Sequence, residues 1–464
     1  MATDAELTRS RPWYVTLSVW VSSLFLLGLL IYVFAKPTPL KRDYPDRIPV
    51  RFWHMWTAEW KVVIDRIVDA YNQSQDSYEV IALSVPTNSA SGGGTQNASQ
   101  KVLLAIAGGD PPDCMGQWNP VLPSWAEKGL IRPLDEIMTP EEEADIRRRA
   151  YPIAIKLGSY QDRIYGILTG INAFACYYRP THLAEAGLGG IPFPTTLEDF
   201  WETSKKLTRY DTEGRMTRLG FSAQNPLQYV PIMGGGLFNE ETGSLNFAAP
   251  ALLKACEWVY QTTQYYGFEE LTRFNSGLNS AGGATGWPFI SGQYSIAFDG
   301  QWRIEQMARY APDLKYKTAP MPSPGGDRQL AGWSNGNFVV IPTGAKHPEG
   351  AWDFIKFWSG VTDPERAAEF MTWGGWLPMT RDTAEAPAYR EYVKRYPQFQ
   401  TFLDLLPSEN LEPTPPVTYQ VFVGDTFGRL NEALVRGSKT PAEAVEFFRA
   451  EIEGELARRE RLRQ

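Results

Sequence analysis

Cysteine and histidine are both scarce in this chain of 464 residues, which contains three of each. No two cysteines have the C-x-x-C spacing, and an odd number permits at most one internal disulfide, so a disulfide-stapled fold is excluded. The histidines form no H-E-x-x-H motif. We therefore predict no metal site and no cofactor.

Basic charge is also in deficit, because 45 Lys and Arg face 53 Asp and Glu, for a net charge of −8. Such a chain repels phosphate backbones, and we predict no nucleic-acid partner. A P-loop is missing as well, so any ATPase that works with this chain must be another protein.

Tryptophan, in contrast, is abundant: the chain has 16 Trp beside 22 Tyr and 23 Phe. Most of these rings are expected in the hydrophobic core, since aromatic side chains bury large apolar areas. Flat aromatic faces also suit the faces of sugar rings. The composition therefore directs attention to indoles that flank a cleft.

The N-terminal segment 13–35 carries no charged residue and is long enough to span a bilayer. It is longer than a usual signal-peptide core, and no cysteine follows it for lipid attachment. We predict a transmembrane anchor at 13–35 after an N-terminal tail at 1–12, with cleavage after Ala35 as the alternative. The proline-rich residues 36–47 form a linker.

The rest of the chain alternates between strand and helix patterns. Strands are predicted at 50–54, 79–85 and 113–118, and helices at 59–72 and 98–107, a rhythm typical of a parallel sheet covered by helices. A second α/β set begins with a strand at 173–178, followed by a helix that Thr195 and Glu198 cap. The size of the chain requires at least two such domains.

Five short motifs occur in a fixed order: VRFWHMW at 50–56, KVLLAIAGGDPPD at 101–113, FDGQW at 298–302, FVVIP at 338–342 ahead of AWDFI at 351–355, and GGWLP at 374–378. In this order they resemble the extracellular solute-binding proteins of family 1. That group includes the maltose- and oligosaccharide-binding proteins of ABC importers, and the resemblance covers nearly everything after the linker.

The resemblance implies a periplasmic-binding-protein type II fold, in which two α/β lobes are joined by hinge strands and close around a ligand. Lobe 1 would hold 48–165 and 298–331, and lobe 2 would hold 172–297 and 336–458. The hinges fall near 166–171, 297 and 332–335. The implied function is extracytoplasmic capture of a carbohydrate and its delivery to an ABC permease, without catalysis.

A sugar site needs planar polar groups for hydroxyls and aromatic plates for ring faces. Strand ends that face the predicted cleft supply both kinds of side chain. The candidates are Trp56, Glu59, Gln117, Trp118, Asn119, Asn172, Asn225, Asp299, Trp302, Trp333, Asn335 and Trp376.

Two enzymatic alternatives compete with capture. Residues 332–336 match the G-x-S-x-G motif of serine hydrolases, but the only later histidine, His347, follows too closely to complete a triad, and a hinge explains the segment better. A glycoside hydrolase remains the stronger rival, since it also needs aromatic plates. Its two carboxylates could only be Asp299 and Glu59, and neither lies in a hydrolase motif.

Overall fold

The computed structural model describes residues 13–35, 42–85, 94–118, 121–278 and 286–463. The chain divides into two compact units, Met1–Asp46 and Arg47–Gln464. The first unit contains helix α1 (Trp13–Ala35), which matches the predicted apolar segment. Within the described ranges, no helix combines the length and apolar character needed to cross a bilayer, so the predicted transmembrane anchor is not supported.

The second unit mixes helices and strands throughout. Its helices are α2 (Ala58–Ser74), α3 (Gly94–Ala107), α4 (Leu122–Glu127), α5 (Pro140–Arg149), α6 (Pro152–Gly158), α7 (Pro180–Glu185), α8 (Leu197–Leu207), α9 (Pro250–Tyr266), α10 (Phe268–Leu278), α11 (Trp302–Tyr310), α12 (Pro348–Ser359), α13 (Pro364–Gly374), α14 (Arg381–Glu385), α15 (Pro387–Arg395), α16 (Phe399–Leu405), α17 (Gln420–Val435) and α18 (Pro441–Arg463). Short 3₁₀ turns occupy Leu134–Glu136 and Pro226–Gln228.

The strands are mostly short. They are β1 (Ile48–His54), β2 (Tyr78–Ser84), β3 (Cys114–Trp118), β4 (Ser159–Tyr160), β5 (Arg163–Ile164), β6 (Gly166–Tyr178), β7 (Arg209–Tyr210), β8 (Met216–Arg218), β9 (Phe238–Asn239), β10 (Ser244–Leu245), β11 (Ile296–Gly300), β12 (Lys317–Ala319), β13 (Gly332–Val340) and β14 (Leu411–Pro413).

The main sheet has the order β11-β6-β13-β3-β1-β2, with β12 paired to β6 and β14 to β13. Strands β1, β2 and β3 run parallel, as the alternation of strand and helix predicted. The other half is antiparallel: β13 pairs with both β3 and β6, and β11 pairs with β6. The three predicted hinge segments are thus neighbouring strands, and their register sets Asn335 opposite Asn172.

Helix starts follow local capping chemistry. Thr139 and Glu142 form a capping box at α5, and Thr440 with Glu443 makes the same exchange of hydrogen bonds at α18. The cap predicted at Thr195 lies one residue later, because the Thr196 hydroxyl accepts from the Asp199 backbone N–H. The helix begins at Leu197, which makes Thr196 the N-cap residue.

Two hydrophobic clusters fill the second unit. Most of the first comes from residues 50–177, 287–307 and 338–411, and most of the second from 176–274, 321–331 and 417–452. Residues 338–411 therefore pack with the first cluster, not with the second lobe to which the sequence assigned 336–458. The reason is strand pairing: β13 runs beside β3, which returns the chain to the first cluster. The three cysteines are buried free thiols divided between these clusters.

Candidate functional site

A cavity of about 470 Å³ opens where the chain leaves β1 and where β6, β11 and β13 run side by side. We call it the indole cavity. Its lining is Met55, Trp56, Thr57, Trp60, Asn172, Gln301, Trp302, Asn335, Asn337 and Trp376. It follows the carboxyl end of a parallel strand, the usual position of ligand sites in α/β sheets, and its volume falls in the usual range for ligand pockets.

Two of the indoles belong to the core as well as to the cavity. Trp56 and Trp376 are 7% and 4% exposed, and their ring centroids lie 6.3 Å apart. Fully buried Trp358 contacts both, at 5.5 Å from Trp56 and 6.3 Å from Trp376. Because each ring is packed against the other two, these walls keep their orientation whether or not a ligand is present.

Trp302 is less deeply buried than these two indoles. Trp302 is the first residue of α11 and is half-buried. Its ring meets Phe174 of β6 edge to face, with centroids 5.5 Å apart and planes at 87°. The contact leaves part of the indole open to the cavity, as a stacking plate requires.

Glycines make room for the rings of Trp56, Trp302 and Trp376. A Cβ on Gly300 would lie 2.0 Å from the Trp302 ring, and one on Gly116 or Gly374 would lie 2.5 Å from Trp56 or Trp376. No side chain fits in such gaps, so each indole can take its observed position only because the residue beside it is glycine.

Carboxamides form the floor of the cavity. Gln301 Nε2 donates to Asn172 Oδ1 at 3.0 Å, and Asn172 Nδ2 donates to Asn335 Oδ1 at 2.7 Å. Gln301 Oε1 accepts from the Ala173 backbone N–H at 3.2 Å. Among the described residues that line the cavity, none carries a charge. The site therefore offers apolar plates and neutral hydrogen-bonding groups.

A second, larger cavity of about 620 Å³ contacts both hydrophobic clusters. We call it the charged cavity, because its lining includes Lys156, Asp162, Glu240, Glu409 and Glu412. Lys156 pairs with Glu240 at 3.6 Å, and Arg328 with Glu412 at 3.0 Å. Burial raises the pKa of Glu412 above its ordinary value.

The structure gathers five of the predicted site residues in the indole cavity: Trp56, Asn172, Trp302, Asn335 and Trp376. Trp333 lines the charged cavity instead, where its indole N–H donates to Thr414 Oγ1 at 3.0 Å. The pairing of β13 with β14 sets Trp333 opposite Glu412, which lines the same cavity.

Four further predicted residues, Asp299, Glu59, Gln117 and Asn225, are described by the structure and line neither of these two cavities. Asp299 is held by Arg303, whose Nε donates to Oδ2 at 2.7 Å, and burial raises its pKa. Glu59 occupies the first turn of α2, and Gln117 is buried on β3. The backbone N–H of Asn225 donates to Asn431 Oδ1. Trp118 ends β3 with its side chain undescribed, and Asn119 lies outside the described residues.

Sequence reasoning missed Met55, Thr57, Trp60, Gln301 and Asn337. Asn337 was within reach, since it lies two positions after Asn335 on one strand and so shares its face. Trp60 lies in the helix predicted at 59–72, and no pattern in the sequence separates a helix position that faces the core from one that also borders a cavity.

Neither enzymatic alternative gains a site. The carboxylates nominated for a glycoside hydrolase, Asp299 and Glu59, are both missing from the described lining of the indole cavity. Ser334 is fully buried inside β13, where its hydroxyl donates to the Asn172 backbone carbonyl at 2.9 Å. A nucleophile elbow needs an exposed serine at a strand-to-helix turn, and this serine is in mid-strand.

Comparison with known proteins decides the family. The model of a family described as bacterial extracellular solute-binding protein matches residues 67–401, more than half of the chain. The chain belongs to this family. The predicted role as a solute-binding protein is thereby confirmed. The family consists of binding proteins and not of enzymes. Because its members are extracellular, membership also places this protein outside the cytoplasm.

Individual relatives agree with the family. The chain is 20% identical over 399 residues to the maltotriose-binding protein of Pyrococcus abyssi (strain GE5 / Orsay), covering 85% of this solute-binding protein and 80% of that one. It is 23% identical over 355 residues to the arabinooligosaccharide-binding protein of Bacillus subtilis (strain 168), covering 70% and 75%.

A solved structure confirms the predicted fold class. The structure described as CpMnBP1 with mannobiose bound has a TM-score of 0.74 and 23% identity to this solute-binding protein, over 88% of this chain and all of that one. The chain therefore has the periplasmic-binding-protein type II fold that its ordered motifs predicted.

Proposed function

We propose that this solute-binding protein captures a neutral oligosaccharide in the indole cavity. The observation that carries the proposal is the lining itself: four indoles, those of Trp56, Trp60, Trp302 and Trp376, surround a carboxamide floor, with no charged side chain among the described lining residues. Indole faces match the C–H faces of sugar rings, and amides match their hydroxyls. Relatives named for oligosaccharides point in the same direction.

The proposed mechanism is capture by closure. We propose that the two lobes rotate about β6, β11 and β13, and that ligand contacts from both sides stabilise the closed state. Asn172, on β6, and Asn335, on β13, lie at this junction, so a ligand that touches them touches two hinge strands at once. The closed form would then deliver its sugar to an ABC permease driven by a separate ATPase.

We propose that no chemistry accompanies capture, since a glycosidase needs two carboxylates at the scissile bond. The test is calorimetric titration of the purified chain with maltotriose, mannotriose and arabinotriose, with spermidine and glucose phosphate as comparison ligands. We expect saturable binding of at least one trisaccharide and a change in tryptophan fluorescence. Binding of only the charged ligands would contradict the proposal, and release of shorter sugars would establish the hydrolase alternative.

For localisation, we propose that segment 13–35 directs export and that the mature protein begins after Ala35. Val33 and Ala35 occupy the small-residue positions that signal peptidase prefers. The intact mass of protein recovered from the native host decides this. A mature chain that still includes residues 13–35 would contradict cleavage.

A further inference from the structure

The carboxamides on the floor of the indole cavity have a fixed direction. The chain of contacts starts at the Ala173 backbone N–H, which can only donate, and which points at the Gln301 side chain at 3.2 Å. The Gln301 atom in that contact must be the acceptor oxygen. Its amino group is thereby turned the other way, toward Asn172.

The orientation of Gln301 in turn fixes the orientations of Asn172 and Asn335. Because Gln301 presents an N–H, the Asn172 atom 3.0 Å away must be its oxygen, and the Asn172 amino group faces Asn335. The Asn335 atom that receives it at 2.7 Å must likewise be the oxygen. Three side-chain amides, whose O and N ends would otherwise be interchangeable, are thus oriented by one backbone donor.

We call the series Gln301, Asn172 and Asn335 the amide relay, and its last member presents an N–H donor that has no acceptor among the described residues. Asn335 lines the cavity and is 6% exposed. Within the described part of the chain, no group accepts a hydrogen bond from Asn335 Nδ2. The second N–H bonds of Asn172 and Gln301 add donors at the same floor, whereas one lone pair of each amide oxygen in the relay is already occupied.

We propose that Asn335 Nδ2 is the specificity-determining donor of the site, and that Gln301 and Asn172 are positioning residues that hold it in that direction. The inference rests on the proposed sugar site and adds which ligand atom is read there: an oxygen that accepts, such as a ring, glycosidic or hydroxyl oxygen. An amide turned the other way would select a ligand donor instead.

Three nearly isosteric substitutions test the relay at increasing distance from the ligand. Asn335→Asp replaces the donor itself. Asn172→Asp leaves Asn335 facing a carboxylate oxygen, so the Asn335 amide must turn and present its oxygen to the cavity. Gln301→Glu, measured at a pH at which its carboxyl is ionised, does the same through two amides. All three place an acceptor where the wild type has a donor.

Gln306→Glu is the matched control. Gln306 lies on α11, is 9% exposed, does not line the cavity, and accepts from Arg303 Nη1 at 2.9 Å. A carboxylate accepts equally well there, so this variant repeats the chemistry of Gln301→Glu near the site but outside the relay.

The first measurement needs no ligand. The full chain, labelled with ¹⁵N-asparagine and held in a detergent without a sugar headgroup, gives side-chain NH₂ signals, and loss of one in Asn335→Asp assigns Asn335. We expect this NH₂ to exchange with water quickly in the wild type and about tenfold more slowly in Gln301→Glu, where it donates to Asn172. Unchanged exchange would overturn the relay.

The second measurement is titration of the same proteins with the trisaccharide that binds the wild type. We expect each relay variant to lose about tenfold in affinity and Gln306→Glu to stay within about twofold. Wild-type affinity in Asn335→Asp would overturn the donor role of Asn335. The carboxylate introduced by this substitution can still accept the hydrogen bond from Asn172, so the variant keeps the contact that Asn335 makes within the protein. If no trisaccharide binds the wild type, the proposed function fails while the exchange measurement still decides the relay.

Discussion

The charged cavity and the indole cavity differ in size and in chemistry, and the cavity that we propose as the sugar site is the smaller of the two. The charged cavity is larger, at about 620 Å³, and the indole cavity measures about 470 Å³. The charged cavity holds ion pairs that already satisfy Lys156 and Glu412, whereas the floor of the indole cavity ends in an open donor on Asn335.

For the sugar site that we propose, available hydrogen bonds are therefore a better guide than cavity volume. A ligand entering the charged cavity must compete with bonds that the protein makes to itself, and it must desolvate charged groups. A ligand in the indole cavity meets preformed plates and donors, so little ordering is needed on binding.

Trp302 and Trp333 allow the largest test of this comparison. Both are half-buried and both contact Phe174, at 5.5 and 4.9 Å between centroids, but they line different cavities. We expect Trp302→Ala to weaken trisaccharide binding about 30-fold, roughly 2 kcal/mol, because it removes a central stacking plate. Trp333→Ala should leave affinity within about threefold and lower the thermal stability instead.

Calorimetry on both variants, with unfolding midpoints beside it, checks this prediction. An equal loss of affinity in the two would show that the charged cavity takes part in capture. The division between the cavities would then have to be abandoned.

A smaller effect is expected from Gly300→Ala. The added Cβ would lie 2.0 Å from the Trp302 ring and push the plate out of its position without touching the ligand. We expect about a tenfold loss of affinity. Gly332→Ala is the control, since its Cβ would meet only Leu411 Cδ1 at an ordinary 3.5 Å. Full affinity in Gly300→Ala, measured by the same titration, would show that the Trp302 plate is dispensable.

Much of the first lobe could be predicted from the sequence because its signals are local. The strand at 50–54 and the helix at 59–72 correspond to Ile48–His54 and Ala58–Ser74 in the structure. Hydrophobic periodicity fixes such elements without reference to the rest of the chain. The capping box of Thr440 and Glu443 is equally local, since its residues lie within one helical turn.

Long-range pairing set the limit of prediction. That 338–411 returns to the first cluster depends on β13 pairing with β3, and no local pattern specifies a partner strand more than 200 residues away in sequence. The same limit applied to Asp299 and Trp333. Their residue types suited a sugar, but Arg303 and Thr414 satisfy them, and such partners are visible only in three dimensions.

The smallest expected effect separates the cavities by pH. Burial raises the pKa of Glu412 in the folded state above its ordinary value of 4.5, so the ionised carboxylate opposes folding at neutral pH and this penalty fades as pH falls toward 4.5. At pH 7, Glu412→Gln should therefore be more stable than the wild type by less than about 1 kcal/mol in free energy of unfolding, which appears as a slightly higher unfolding temperature. This difference should shrink as the pH is lowered. Trisaccharide affinity should not change with this substitution, because Glu412 lines only the charged cavity. Unfolding midpoints at pH 7 and pH 5 check the predicted change in stability, and a trisaccharide titration at pH 7 checks the affinity. A loss of affinity in Glu412→Gln would show that the charged cavity is part of the binding site.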